Sequence, residues 1–332
     1  MTIARAHLVD PAVTRWYHCI TRCVRRAFLL GEGASDRKVW IESRLQELAE
    51  IFAVSVAGFS ILDNHLHVLV RLDPDIAGTW SDEDVVRRWG RLFPPRDKAR
   101  RPLAVSDEWV QGHLLNAAWL TRARQRLQSL SWFMKCLKEP LARLANHQDQ
   151  ARGAFFEGRF KSVAVLDEAA LLAVCTYIDL NPVAAGIAEV PELSVHTSIK
   201  ARVDHVQEQG RTEDLKAARG GSVAGSAAGL EEKHWLCPIE DRRRLDSKRE
   251  GMIEGFSLGN YVLLVDYTAR LYREGKATLS RAVAEILDRL TAWAAVPTSG
   301  TPGSKRCASA VSWAASSRAR ASACATSPTV WA

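Results

Sequence analysis

The pattern of apolar and polar positions divides residues 1–206 into a short series of strands and helices. Trp16 to Arg22 is dense in aromatic and branched side chains and predicts a strand. From Ser35 to about Phe52 the apolar positions Val39, Leu45, Leu48 and Phe52 recur at helical spacing among charged neighbours, with Ser35 as the N-cap. Val54 to Leu62 reads as a buried strand, Asp63-Asn64 as a tight polar turn, and His65 to Leu72 as the returning arm of a hairpin. A helix opens at Ser81-Asp82-Glu83-Asp84, carries Arg87, Arg88 and Arg91 in its later turns, and stops at Pro94-Pro95 before a basic loop from Arg96 to Arg101. A longer helical tract spans about Thr121 to Asn146, where Pro140 must introduce a kink or begin a second helix. Ser162 to Leu166 predicts a last strand, and Asp167 caps a helix bearing Leu171, Leu172, Val174, Cys175 and Ile178 that ends before Asn181-Pro182. The order β-α-β-β-α-β-α predicts an α/β (α+β) chain with a ferredoxin-like, split βαβ core and added helices, one sheet face left open for a site.

The pattern weakens after Val206. Residues 207–230, Gly/Ser/Ala-rich from Gly220 to Gly229, read as a flexible linker. Residues 231–293 read as a small, mainly helical accessory region, with helices over Ser257 to Arg273 and Ser280 to Leu290 and aromatics for packing on the first domain. Residues 294–332 lack acidic side chains and any persistent period, so they read as a disordered or frame-shifted tail.

Composition narrows the class. With 332 residues and 47% apolar content the chain can bury a real core. Its formal charge of +7 draws on Lys305, Arg306, Arg318 and Arg320 in the tail, so any polyanion footprint on the rest must come from local clustering. Cys19, Cys23, Cys136, Cys175, Cys237, Cys307 and Cys324 form no dense disulfide pattern and fit a reducing compartment; Cys19 and Cys23 read as small core residues sharing a strand face. Without a signal-like stretch or a membrane-length apolar run, the expectation is a cytoplasmic protein, nucleoid-associated when bound to DNA.

His65 and His67 carry the sharpest chemistry. Strand residues two apart share a face, so the two imidazoles can converge on one divalent cation while Leu66, Val68 and Val70 enter the packed layer behind. Neutral imidazole suits Mn²⁺ and other transition metals, with a third oxygen ligand and phosphate oxygens completing the shell. A cation held there, Mg²⁺ or Mn²⁺, would polarise a scissile phosphate and stabilise charge on the leaving 3′-oxygen. Taken alone, the pair is modest evidence, since such histidines are more often surface or hydrogen-bonded core residues.

Three blocks place the pair in context. Asn64-His65-Leu66-His67-Val68-Leu69-Val70, Phe155-Phe156-Glu157-Gly158-Arg159-Phe160-Lys161 and Tyr177-Ile178-Asp179-Leu180-Asn181-Pro182-Val183-Ala184-Ala185-Gly186 resemble, in this order, the IS200/IS605-like single-tyrosine (HUH-type) transposases. The match is closest to their REP-associated branch and extends from the Tyr17-His18 strand to about Val206. The resemblance implies a dimeric, ferredoxin-like nuclease domain that recognises single-stranded or hairpin DNA. It also implies a His-hydrophobic-His metal site and a helix tyrosine that attacks a phosphate, forms a 5′-phosphotyrosine and frees a 3′-hydroxyl. The energy of the broken bond is stored in the adduct, so rejoining needs no ATP.

On that resemblance the nucleophile is expected in the helix before the Gly-Arg-Phe-Lys block, where Leu141 and Leu144 stand instead of tyrosine. Tyr177, on the next helix, and Tyr267, in the accessory region, are the substitute candidates. Asn146 and Asp149 are candidates for the third metal contact, with helix capping as their alternative role. Arg22, Arg25, Arg26, Arg71, Arg100, Arg122, Arg126, Arg159 and Lys161 are candidate phosphate contacts, which raise affinity without specifying bases. Three functions stand open: transposition by metal-dependent single-strand cleavage and joining, noncatalytic recognition of DNA hairpins by a domesticated protein, and metal-dependent hydrolysis in which water replaces tyrosine.

Overall fold

The strands assemble as the hydrophobic alternation requires. In the computed structural model, which describes residues 8–31, 37–218, 229–241, 250–271 and 275–294, β1 (Trp16–Arg22), β2 (Val54–Ile61), β3 (His65–Leu72) and β4 (Lys161–Val165) form an antiparallel sheet in the order β2-β3-β1-β4. β1 and β2 run the same way, as do β3 and β4, so each pair needs a crossover. Helix α1 (Arg37–Ile51) makes the first, and α6 (Leu130–Gln148) lies on the second. The chain is α+β with split βαβ connectivity. Ser35, expected to cap α1, lies outside the described residues.

Register decides which side chains share a face. β1 and β3 pair Arg22 with His65, Ile20 with His67 and His18 with Leu69. β4 adds Lys161 opposite Ile20 and Val163 opposite His18, and β2 adds Ser60 opposite His67. Directly opposed residues project to one side. On the other side Tyr17, Cys19, Leu66, Val68, Val70 and Phe59 build a core with Ile41 and Leu45 of α1 and Phe133, Leu137 and Leu141 of α6.

The histidine-bearing face is not open along its whole length. Ala57, Leu69 and Val165 join a second core with α7 (Glu168–Asp179), α9 (Ser198–Glu208) and α11 (Leu258–Ala269). The cause is apolar demand: Leu171, Cys175, Ile178, Ile199 and Val203 need a layer to bury against. Gly58, at a bulge of β2, permits the contact, since a Cβ there would meet Ser198 Oγ at 3.3 Å and Cys175 Sγ at 3.4 Å.

Between β3 and α6 the chain inserts α2 (Pro74–Thr79), α3 (Asp82–Leu92), α4 (Asp107–Leu114) and α5 (Ala117–Leu127). Ser81 and Asp84 close a reciprocal capping box on α3. The expected long helix breaks at Gln128-Ser129, not at Pro140. Pro140 sits inside α6 because the carbonyl it leaves unpaired four residues earlier, Cys136 O, accepts from Arg44 Nε at 3.3 Å.

Helix α8 (Asn181–Ala184) follows α7, and α10 (Thr212–Ala217) falls inside the stretch read as a linker, with Leu215 buried. Residues 219–228 of that stretch lie outside the described residues. Ser257, the expected helix start, is the N-cap of α11, which ends at Ala269, short of the expected Arg273; α12 (Ile286–Ala294) begins later than Ser280, and β5 (Glu240–Asp241) pairs in parallel with β6 (Ile253–Glu254). One compact unit ends at Thr291. The tail from residue 295 lies outside the described residues.

Candidate functional site

β3 delivers His65 and His67 to one face, and β1 adds His18. The His18 and His67 rings stack at 5.1 Å with His18 Nε2 2.9 Å from His67 Nδ1, while His65 and His67 meet edge to face at 5.0 Å. His65 Nδ1 lies 2.5 Å from Asn64 Oδ1, so its proton is held there and Nε2 keeps its lone pair. Asn64 Nδ2 in turn donates to Arg26 O at 3.1 Å, tying the site to a turn in which Arg25 and Arg26 have φ of 55° and 56°. Non-glycine residues occupy that region only when neighbours hold them there. In the tautomer protonated at Nδ1, His67 donates to His18, leaving as its lone-pair donor Nε2, which is buried without a partner.

Tyr177 approaches from the facing helix. Leu171, Cys175, Ile178 and Asp179 of α7 are buried, which leaves Tyr177 on the flank between core and solvent. Its ring lies 5.6 Å from His67 and 6.2 Å from His18, both edge to face, and it is 47% exposed. A phenol thus stands beside the histidine cluster with access to solvent.

Burial holds the crevice neutral. Desolvation pushes His18 down to about 4 and His67 to about 3, the latter helped by the charges of His18, His65 and Arg22. His65 is lowered by burial and then by Arg22. Neutral rings are the form that ligates metal. Because the folded values lie below the unfolded value of about 6.5, the unfolded chain binds more protons in acid. This contribution to stability is complete above about pH 6.5 and is lost as pH falls toward the folded values. The melting temperature is expected to drop between about pH 7 and pH 5, with a shallower drop in a His18→Gln/His67→Gln variant. Equal slopes by calorimetry would remove these rings as the cause.

The sheet separates the other candidates. Leu141, 1% exposed, packs with Leu66 and Val68 behind the sheet, so a tyrosine on that helix face would lie across the sheet from the histidines. Asn146 and Asp149 belong to the same helix end: Asn146 Nδ2 donates to Gly153 O at 3.0 Å, and Asp149 pairs with Arg37. The structure does not bring them to the histidines, and among the described residues no group of three or more His, Cys, Asp or Glu is arranged to hold a metal. The protein's own donors at the crevice are therefore the two Nε2 atoms. Tyr267 is 64% exposed on α11, and among the described residues it makes no ring contact with the histidines.

The basic candidates divide in the same way. Arg22 is exposed opposite His65, Arg25 and Arg26 are exposed on the adjoining turn, and Lys161 is exposed in the row of Ile20 and His67. Arg159 is exposed on the loop leading into β4. Arg71 is 3% exposed, paired with Asp73 at 2.7 Å and packed 5.4 Å from the Trp16 ring, so it is a core cation and no phosphate contact. Arg100, Arg122 and Arg126 belong to the inserted helices and their loops, which pack on α1 and α6 behind the sheet. His18 and Asn64 were missing from the sequence candidates. The available signal for His18 was strand parity, which places it on the face of Trp16 and Ile20.

Among solved structures, one is similar in outline. It is a REP-associated tyrosine transposase bound to a REP hairpin, with 13% identity, a TM-score of 0.34, and coverage of 57% of this chain and 78% of that one. No protein-family model and no curated protein sequence matches the chain. No helix among the described residues is long and apolar enough to cross a membrane.

Proposed function

We propose that the chain is a DNA-binding, transposase-like enzyme that cuts and rejoins single-stranded or hairpin DNA, with Tyr177 as nucleophile and His65 and His67 as metal ligands. The observation that carries this reading is the half-exposed Tyr177 ring standing 5.6 Å from His67. Of the two substitute candidates for the tyrosine that α6 lacks, this contact favours Tyr177 over Tyr267. The unpartnered Nε2 of His67 and the Asn64-held tautomer of His65 fit a divalent cation such as Mg²⁺ or Mn²⁺. When bound, the cation supplies charge stabilisation at the leaving 3′-oxygen.

The remaining work belongs to the chain. Arg22, Arg25, Arg26 and Lys161 draw the phosphodiester backbone to the crevice, and the sheet and α7 position it. The Tyr177 oxygen forms a bond to phosphorus and gives up its proton; the bond from phosphorus to the 3′-oxygen breaks, and that oxygen takes up a proton as a free hydroxyl. Attack by a 3′-hydroxyl on the phosphotyrosine reverses the balance and rejoins the strand. A homodimer and a nucleoid location belong to the same reading.

Short DNA hairpins incubated with the protein and Mn²⁺ or Mg²⁺ are expected to give a covalent adduct by intact mass, mapped to Tyr177. The adduct is expected to vanish with EDTA or in His65→Ala/His67→Ala, while hairpin binding persists. Cleaved ends without an adduct would favour water attack, and binding without product would favour recognition alone.

A further inference from the structure

Behind the sheet, α6 and the loop 153–160 enclose an open groove of about 400 Å³ with a cationic and aromatic rim. Lys138 lies 4.7 Å from the Phe156 ring and donates to Gly158 O at 2.8 Å. Lys135, also in the groove wall, lies 4.6 Å from the ring of Trp132, which stands outside the groove and carries Arg126 at 4.4 Å. Lys135 and Arg159 are exposed and have no acidic partner among the described residues, and Glu139, the acid in the groove, is paired with Arg143.

A cation resting on an aromatic ring is held in place at little entropic cost, so the rim presents fixed positive charges beside half-buried ring faces. That combination suits a ligand with both phosphates and accessible base faces, which is a single strand; a duplex hides its base faces in the stack. The groove also adjoins the proposed reaction site. Val24 N donates to Phe155 O at 3.0 Å and Glu157 N to Arg22 O at 3.0 Å, so the loop forming one groove wall is bonded to the arginine turn beside His65.

We propose that this groove is a second DNA-binding site, which takes the single-stranded segment continuing from the strand at the histidine crevice. It rests on the reading that the chain acts on single-stranded DNA, and it extends that reading to Lys135, Lys138, Phe156 and Arg159.

The test uses the full chain and a labelled, unstructured DNA of about twenty nucleotides, long enough to span the groove. By fluorescence anisotropy, Lys135→Glu/Arg159→Glu is expected to weaken binding at least about tenfold and to flatten the salt dependence by about 0.7 per lost phosphate contact. Bromodeoxyuridine crosslinks are expected at Phe156. Both substituted residues are exposed, and an unchanged thermal melt verifies folding. Unchanged affinity in the variant, or equal wild-type affinity for the matching duplex, overturns the groove. A normal Tyr177 adduct together with unchanged single-strand affinity removes the groove and keeps the proposed reaction. Lost affinity in a protein whose wild type forms no adduct keeps the groove and removes the reaction.

Discussion

Tyr177→Phe is expected to abolish adduct formation and to lower strand cleavage by roughly four orders of magnitude or more, the scale on which loss of a nucleophile acts. The substitution removes only the phenolic oxygen. That oxygen has no hydrogen-bond partner among the described residues, and the residue is half exposed, so the edge-to-face contacts with His67 and His18 survive and the fold has no reason to weaken. Hairpin affinity is expected to stay within about twofold, because phosphate contacts dominate it. Tyr267→Phe, on an exposed face of α11, is expected to behave as wild type. A Tyr177→Phe protein that still forms the adduct, beside a Tyr267→Phe protein that does not, would transfer the role to Tyr267.

The strands and their faces were legible in the sequence because they depend on short-range periodicity. The alternation through His65 to Leu72 already separates the histidines from Leu66, Val68 and Val70, and the register keeps that separation. What periodicity cannot give is which helix covers which face. The two helices that bracket β4 in the chain lie on opposite sides of the sheet, α6 behind it and α7 over the histidines. Residues on the buried face of α6 therefore lie across the sheet from the histidines, and Asn146 and Asp149, at the end of that helix, are engaged with Gly153 O and Arg37 instead. Arg71 shows the complementary limit. Its parity places it on the histidine face, but Asp73 beside it and Gly251 far along the chain turn it into a buried pair. Pro140 likewise reads locally as a break, and only Arg44, from another helix, explains its tolerance.

Asp179→Ala is expected to lower stability by about 2–5 kcal/mol, the scale on which buried donors stripped of their acceptor act. Asp179 is 0% exposed in the last turn of α7, two residues beyond Tyr177, and burial raises its pKa against the opposing pull of Ser198 and Tyr261. Its carboxylate accepts from Ser198 Oγ at 2.6 Å, from Ile199 N at 2.8 Å and from the Tyr261 hydroxyl. Ser198 Oγ also accepts from Phe59 N at 3.0 Å, so one side chain links α7 to the start of α9, to α11 and to the β2 backbone. Truncation leaves the Ile199 amide and the Tyr261 hydroxyl buried without this acceptor, at about 1–3 kcal/mol each. Tyr261→Phe alone removes one donor and is expected to cost about 1–2 kcal/mol. Since the two residues share a bond, the double variant is expected to fall short of the sum by about 1 kcal/mol in denaturant titrations. The same network holds the helix that presents Tyr177, so Asp179→Ala is also expected to slow adduct formation under conditions where the protein is still folded. Strict additivity with an unchanged adduct rate would mean that α7 is positioned by its apolar face alone.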